Sequence, residues 1–335
     1  DEDVVRDLDA ENALGAAVSK ADGLLQQIAG LNGRIAANNT PALQDQRDAL
    51  IDQLSTLMDV KANVDATGAV SLSTSGGMSL VDGTRATRLS FQAQNIGPAS
   101  VYDPDPAKRS VGTILATDAM GVTRDVIAGG YIRSGEIAAQ VDLRDTVLPQ
   151  AQAQLDELAA GLAQALSDKP VPSTAAAVGA QMGFDLDLAG LAAGNRVTVS
   201  VTDPGGAKRT LVFAATQSAA AQGLANDSGV IGLDISGGPA AIASQIQTAL
   251  GANYTISNLS GSTIRLLGNG TSSSVDAASG ATTVTGLATG DPEIPLFVDG
   301  GTSGGIYTGS FEGGTSQLAG FASRIAVNGT VKASP

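Results

Sequence analysis

Residues 14–35 read LGAAVSKADGLLQQIAGLNGRI, and one stripe of that stretch decides the fold. Leu14, Val18, Ala21, Leu25, Ile28, Asn32 and Ile35 follow one another in alternating steps of four and three. Far downstream Ile137, Val141, Arg144, Leu148, Ala151, Leu155, Leu158 and Leu162 repeat the spacing. A 3.5-residue repeat places each set on one narrow face of a helix, the pattern of a coiled-coil seam. At 1.5 Å per residue the stripes run for roughly 33 and 40 Å. Long seams of this kind suit lateral packing better than the lining of a catalytic cleft.

Outward from the first seam, residues 4–37 are expected as one helix, stopped by Asn38-Asn39-Thr40-Pro41. A second helix follows from Ala42 to Met58, with Leu43, Leu50, Leu54 and Leu57 on one face. Asp45, Arg47, Asp48 and Asp52 form its other face, expected as a solvated surface with minor ion pairs. From Val60 the period drops to two, and turns at Thr67-Gly68 and Ser75-Gly76-Gly77 mark a β-meander. The downstream heptad helix is expected from Gly135 to Ser167, kinked or briefly broken at Pro149. Lys169-Pro170-Val171-Pro172 then reads as its end and the start of a linker.

Beyond it, Val197–Val201 and Leu211–Phe213 flank Pro204-Gly205-Gly206 as a hairpin. Pro239 to Leu250 is an amphipathic helix with Ile242, Ile246 and Leu250 inward and Gly251 as its stop. A further hairpin turns at Ser260-Gly261-Ser262, and Gln317 to Val327 reads as a short returning helix. The fold class is therefore α+β multidomain: an elongated bundle of heptad helices carrying two inserted or appended β-rich domains. Residues 1–59 with 131–169, joined by 315–335, make the helical rod. Residues 60–130 make a small β-domain, and 170–314 an outer β-rich domain with one short helix.

Composition narrows the function. The chain of 335 residues has a net charge of −14, which disfavours a nucleic-acid backbone or an anionic membrane as partner. Its basic clusters are pairs beside turns, Lys108-Arg109 and Lys208-Arg209. Aromatics are 3% of residues, too few to fill deep globular cores or line a sugar-stacking cleft. There is no Cys and no His, which removes disulfides, thiolate nucleophiles and the usual general base. Nor is there an apolar run long enough to span a bilayer. The first residues are neither a Met start nor a signal peptide, and the abrupt helix ends are those expected of a fragment.

Each motif that could carry chemistry has a plainer reading. Gly301-Thr302-Ser303-Gly304-Gly305 matches the G-x-S-x-G nucleophile elbow but has no histidine to serve it, so it reads as a glycine-rich loop. No Lys has a Ser three residues before it, so an S-x-x-K dyad fails. Asp227-Ser228-Gly229 is half of an aspartic-protease signature without its other half, and reads as a turn. Asp185 with Asp187, and Asp103 with Asp105, offer paired carboxylates but no calcium-loop pattern around them. The expectation is no catalytic residue, no cofactor and no metal.

A set of ordered motifs carries a family likeness. Gln27-Ile28-Ala29-Gly30-Leu31-Asn32-Gly33-Arg34-Ile35 precedes Leu43-Gln44-Asp45-Gln46-Arg47-Asp48-Ala49-Leu50-Ile51-Asp52-Gln53-Leu54-Ser55. Gly77-Met78-Ser79-Leu80-Val81-Asp82-Gly83 comes next, and then Gly129-Gly130, Gly135 and Arg144-Asp145-Thr146-Val147-Leu148-Pro149. Together they resemble the bacterial flagellar hook-associated protein 1 family over residues 20–168, while 180–300 match none of its motifs. The resemblance implies a structural, non-enzymatic part of the flagellum, joining hook to filament through subunit packing. Implied partners are the hook protein, neighbouring hook-associated proteins and copies of itself. An export chaperone would be met through a C-terminal region absent from this chain, as the tube-forming terminal helices are. The implied place is outside the cell, after export by the flagellar type III pathway without a cleaved signal peptide. The isolated fragment is expected to be monomeric. Flagellin, another axial protein, or a secreted β-rich adhesin module are the alternatives.

Overall fold

In a computed structural model the chain is described over residues 2–333, apart from 66–67, 95–99, 101, 289–291, 302–304 and 312–313. It divides into two compact units, residues 1–152 and 153–335. The fold is mixed α+β, with helices and several mainly antiparallel sheets.

The first unit opens with α1 (Glu2–Ala37) and α2 (Pro41–Leu57), joined by the expected short break. All seven positions of the first heptad stripe are buried, from Leu14 to Ile35. Leu14, Val18, Ala21, Leu25 and Ile28 share a core with Leu54, Leu57 and Met58 at the end of α2, so the two helices form a hairpin. Seven strands follow: β1 (Lys61–Val64), β2 (Val70–Ser73), β3 (Ser79–Asp82), β4 (Arg85–Ala86), β5 (Arg88–Gln92), β6 (Thr113–Thr117) and β7 (Thr123–Asp125). The first four pair in chain order and the last three make a second meander. Their inward residues Leu72, Leu80, Leu89 and Ile114 pack on the α1 stripe in the same core. Each such side chain removed from water contributes about 1.5–3 kcal/mol.

The downstream helix is interrupted. α3 (Glu136–Asp142) passes into a π-turn at Leu143–Val147 and then into α4 (Leu148–Ser167). The interruption lies just before Pro149, where a regular ladder would lose an N–H and meet the ring; widening the turn relieves both. Ile137 at the start of α3 is buried against the first core. The second stripe departs from expectation: Leu155, Leu158 and Leu162 are 47%, 71% and 46% exposed. The buried residues of α4 are Asp156, Ala159, Ala160, Ala163 and Ser167, so its small-residue face, and not its leucine face, packs inward.

The second unit continues from α4 directly into β8 (Asp168–Pro172), a paired edge strand where a linker was expected. β9 (Thr174–Val178), β10 (Gln181–Asp187), β11 (Arg196–Thr202) and β12 (Lys208–Thr216) follow. A helix that the sequence reading missed, α5 (Ala219–Asp227), connects β12 to the parallel strand β13 (Ile231–Asp234). Its alanine-rich face lacks the large apolar periodicity that betrays α6 (Gly238–Leu250). β14 (Tyr254–Ser260), β15 (Thr263–Gly268) and β16 (Ser274–Thr283) complete two sheets, ordered β14-β15-β10-β9 and β13-β12-β11-β16-β8. Both sheets and α6 share one core, in which Val197, Val199 and Val201 of β11 alternate inward as the sequence spacing requires.

The C-terminal stretch also differs from expectation. The returning helix is one turn, α7 (Phe321–Arg324), and the chain then extends as β18 (Ile325–Val327) beside β17 (Phe297–Asp299) before a final turn, α8 (Gly329–Ala333). Asp156 of α4 accepts the Gly320 and Ala322 N–H groups at 2.7 and 2.8 Å, capping the N-terminal end of α7. Tyr307 stacks on Phe321 with ring centroids 4.0 Å apart. Among the described residues no helix is long and apolar enough to cross a membrane.

Candidate functional site

Buried and half-buried polar side chains of the first unit hold its backbone together. Along α1, Glu11, Asp22 and Asn32 recur about every three helical turns, so they fall on one broad face. Each completes the hydrogen bonding of a strand. Glu11 Oε1 accepts the Gly112 N–H at 2.5 Å, and Asp22 Oδ1 accepts that of Leu89 at 2.9 Å. Asn32 Oδ1 accepts from the Val70 N–H at 3.1 Å, while its Nδ2 donates to Val70 O and Gly83 O at 2.7 and 2.8 Å. Asn32 thus interrupts the apolar stripe for a reason: its buried amide fastens α1 to two strand connections.

Two Arg-Asp dipeptides repeat one device. Arg47 Nε and Nη2 donate to Asp48 Oδ1 at 3.0 and 2.9 Å, and Nη1 donates to Gly68 O at 2.6 Å. Arg144 donates Nε and Nη2 to the Asp145 carboxylate at 2.6 and 3.1 Å, and Nη1 to Gly112 O at 2.8 Å. Its Nη1 also lies 3.5 Å from Glu11. In each, the neighbouring aspartate holds the guanidinium fork while the remaining arm clasps a glycine carbonyl of the β-region. Arg47 and Arg144 are 4% and 3% exposed. The solvated face expected for Arg47 is therefore corrected: its charge is buried and paired. The heptad position of Arg144 likewise points inward.

Acidic side chains also brace the connections. Asp59 accepts from the Ser75 hydroxyl and N–H and from the Arg133 N–H. Burial pushes its pKa up, but these bonds outweigh burial and hold it below the usual carboxylate range. Asp125 behaves alike: burial opposes ionisation, while the Ala128 N–H, Arg109 and Thr113 favour it and prevail. Arg109 also lies 4.9 Å over the Tyr102 ring. Of the basic pairs, Arg109 is thus internal, and Arg209 is bound to Asp203 at 2.6 Å.

The candidate chemical motifs fall apart in space. Asp185 is held bidentately by Arg265, both bonds 2.7 Å, which lowers its pKa. Asp187 accepts from Ser262 and the Ala189 N–H, and Asp103 and Asp105 accept backbone N–H groups of their own turn. Among the described residues no three acids group as a metal would need. Asp227-Ser228-Gly229 ends α5, with Ser228 as its cap and Gly229 at φ +81°. Thr302, Ser303 and Gly304 of the elbow-like loop lie outside the described residues. A groove of about 600 Å³ runs beside α3, floored by Ile114, Val126, Ile132 and Ile137, with Asp142 and Asp145 among its lining residues. Asp145 is already engaged by Arg144.

Residues 7–169 match the family model described as the flagellar hook-associated protein FlgK helical domain. Flagellar hook-associated protein 1 of Escherichia coli (strain K12) is 28% identical over 162 residues, covering 46% of this chain and 27% of that relative. The chain thus matches about a quarter of the relative's length. The flagellar hook junction protein FlgK from Burkholderia pseudomallei aligns in structure over 89% of this chain and 53% of that one, with 19% identity and a TM-score of 0.42.

Proposed function

We propose, on the premise that residues 7–169 are a FlgK-type helical domain, that the protein is a structural part of the bacterial flagellum, connecting hook to filament. The match over the helical half carries this reading. The site supports it, since its buried arginines and acids brace backbone instead of facing a substrate. Partners are the hook protein, neighbouring hook-associated proteins and further copies of the chain. A chaperone meets the C-terminal part of the full protein before export through the flagellar type III pathway. The protein catalyses nothing and uses no cofactor.

The exposed leucines of α4 take a role in this reading. Leu155, Leu158, Leu162 and Leu166 form a solvent-facing apolar stripe, the kind of surface that marks association. In the flagellum the stripe packs against another helix, completing the heptad bundle. Alone and dilute, the chain is monomeric. Deleting the gene tests the main claim. Cells should keep hooks, lose filaments and shed flagellin into the medium; filaments of normal length would overturn it.

A further inference from the structure

The second unit guards three of the four edges of its two larger sheets. On β13, the Gly232 N–H is taken by Asn226 and its carbonyl by Gln222; the Asp234 N–H and carbonyl are both taken by Gln245. On β14, Gln247 donates to Tyr254 O and accepts from the Ile256 N–H, and a bulge follows near Asn258. β8 carries Pro170 and Pro172, which have no N–H to offer. Side-chain plugs, bulges and prolines are the devices by which proteins stop sheets from adding strands.

β9 has none of them. Thr174-Ala175-Ala176-Ala177-Val178 contains no charge and no proline, and it lies at the end of its sheet. Among the described residues no side chain is hydrogen-bonded to its backbone. Ala175 and Ala177 are exposed, Val178 is 48% exposed, and Met182 opposite Ala177 is 70% exposed. The turn to β10 is Gly179-Ala180, with Gly179 at φ +60°. In a two-residue turn the closing pair, here Val178 and Gln181, exchanges both hydrogen bonds. Alternation then directs the N–H and C=O of Ala175 and Ala177 away from the sheet.

We propose that β9 is a docking edge for a second copy of this chain, the two β9 strands pairing antiparallel about Ala176. That register sets Ala175 against Ala177 of the partner copy, making four backbone bonds, and Thr174 against Val178. In a chain of net charge −14, an uncharged run from Thr174 to Phe184 is where two copies approach with little repulsion.

The absence of cysteine makes the test direct. At the symmetric position the two Ala176 Cα atoms would lie about 4.5 Å apart, within disulfide reach. Ala176→Cys should therefore oxidise to a covalent dimer about tenfold faster than Met120→Cys, at an exposed hairpin tip in the first unit. Equal rates overturn the proposal. Ala176→Lys opposes like charges and should weaken self-association of the 335-residue chain about fivefold in sedimentation, with melting unchanged. A natural chain that stays monomeric at millimolar concentration overturns it as well.

Discussion

Arg144 shows most sharply how a single residue holds the first unit. Its guanidinium joins Asp145, the Gly112 carbonyl and Glu11, while Glu11 in turn receives the Gly112 N–H. Glu11 and Arg144 are each 3% exposed, so neither charge can turn to water if the other is lost. Removing one partner of a buried ion pair costs about 3–5 kcal/mol, far more than a surface pair is worth. Arg144→Ala should accordingly lower the unfolding free energy of the first unit, read from urea titration, by that amount. Glu11→Gln with Arg144→Ala should recover part of the loss, since the double variant no longer buries a bare carboxylate at position 11. A loss of less than about 1 kcal/mol in Arg144→Ala would place the residue with ordinary surface pairs. Spacing alone could not disclose this role. A heptad position filled by Arg is compatible with a snorkelling side chain, and only the fold brings Glu11 and Gly112 to it.

Among the elements, the connection from α2 to α3 shows why a motif glycine stands where it does. Gly135 precedes α3 at φ +92°, and a Cβ there would lie 2.6–2.7 Å from backbone atoms of Leu57 and Met58 at the end of α2. Both the left-handed backbone and the close approach exclude a side chain. Gly135→Ala should cost at least about 2 kcal/mol in thermal or urea unfolding. A neutral outcome would mean that the two helix ends separate without penalty. Helices and hairpins with strong periodicity were legible in the sequence: α1, α2, α6 and the β11–β12 hairpin stand where their patterns place them. What escaped was decided by distant partners. β8 reads as a proline-rich linker until β16 lies beside it, and the fully buried residues of α5 are only alanines, Ala221 and Ala225. The returning helix starts late, where the distant Asp156 carboxylate caps it, and ends after one turn because Ile325–Val327 pairs with β17. Glu11 and Asp22 also escaped, although polar residues recurring every three turns beside an apolar seam were the available signal.

At the scale of the whole molecule, the two heptad stripes contrast. Identical spacing marks both, yet Leu25 of the first is fully buried and Leu155 of the second is 47% exposed. The sequence period says that a helix face seeks a partner; it does not say whether that partner lies in the same chain. One substitution separates the cases. Leu25→Asp puts an unpaired carboxylate among Leu54, Leu57 and Leu80, and should cost about 4 kcal/mol or more, enough to unfold a marginal unit. Leu155→Asp changes an exposed position and should shift stability by no more than about 0.5 kcal/mol. If the α4 stripe packs against a helix in the assembled flagellum, that mild change becomes severe there, because the same carboxylate is then buried at every copy. Cells carrying Leu155→Asp should make a folded, exported protein and few or no filaments. Normal motility with Leu155→Asp would remove the stripe from the assembly surface. A large loss of stability in the isolated chain would show instead that Leu155 belongs to a core of its own.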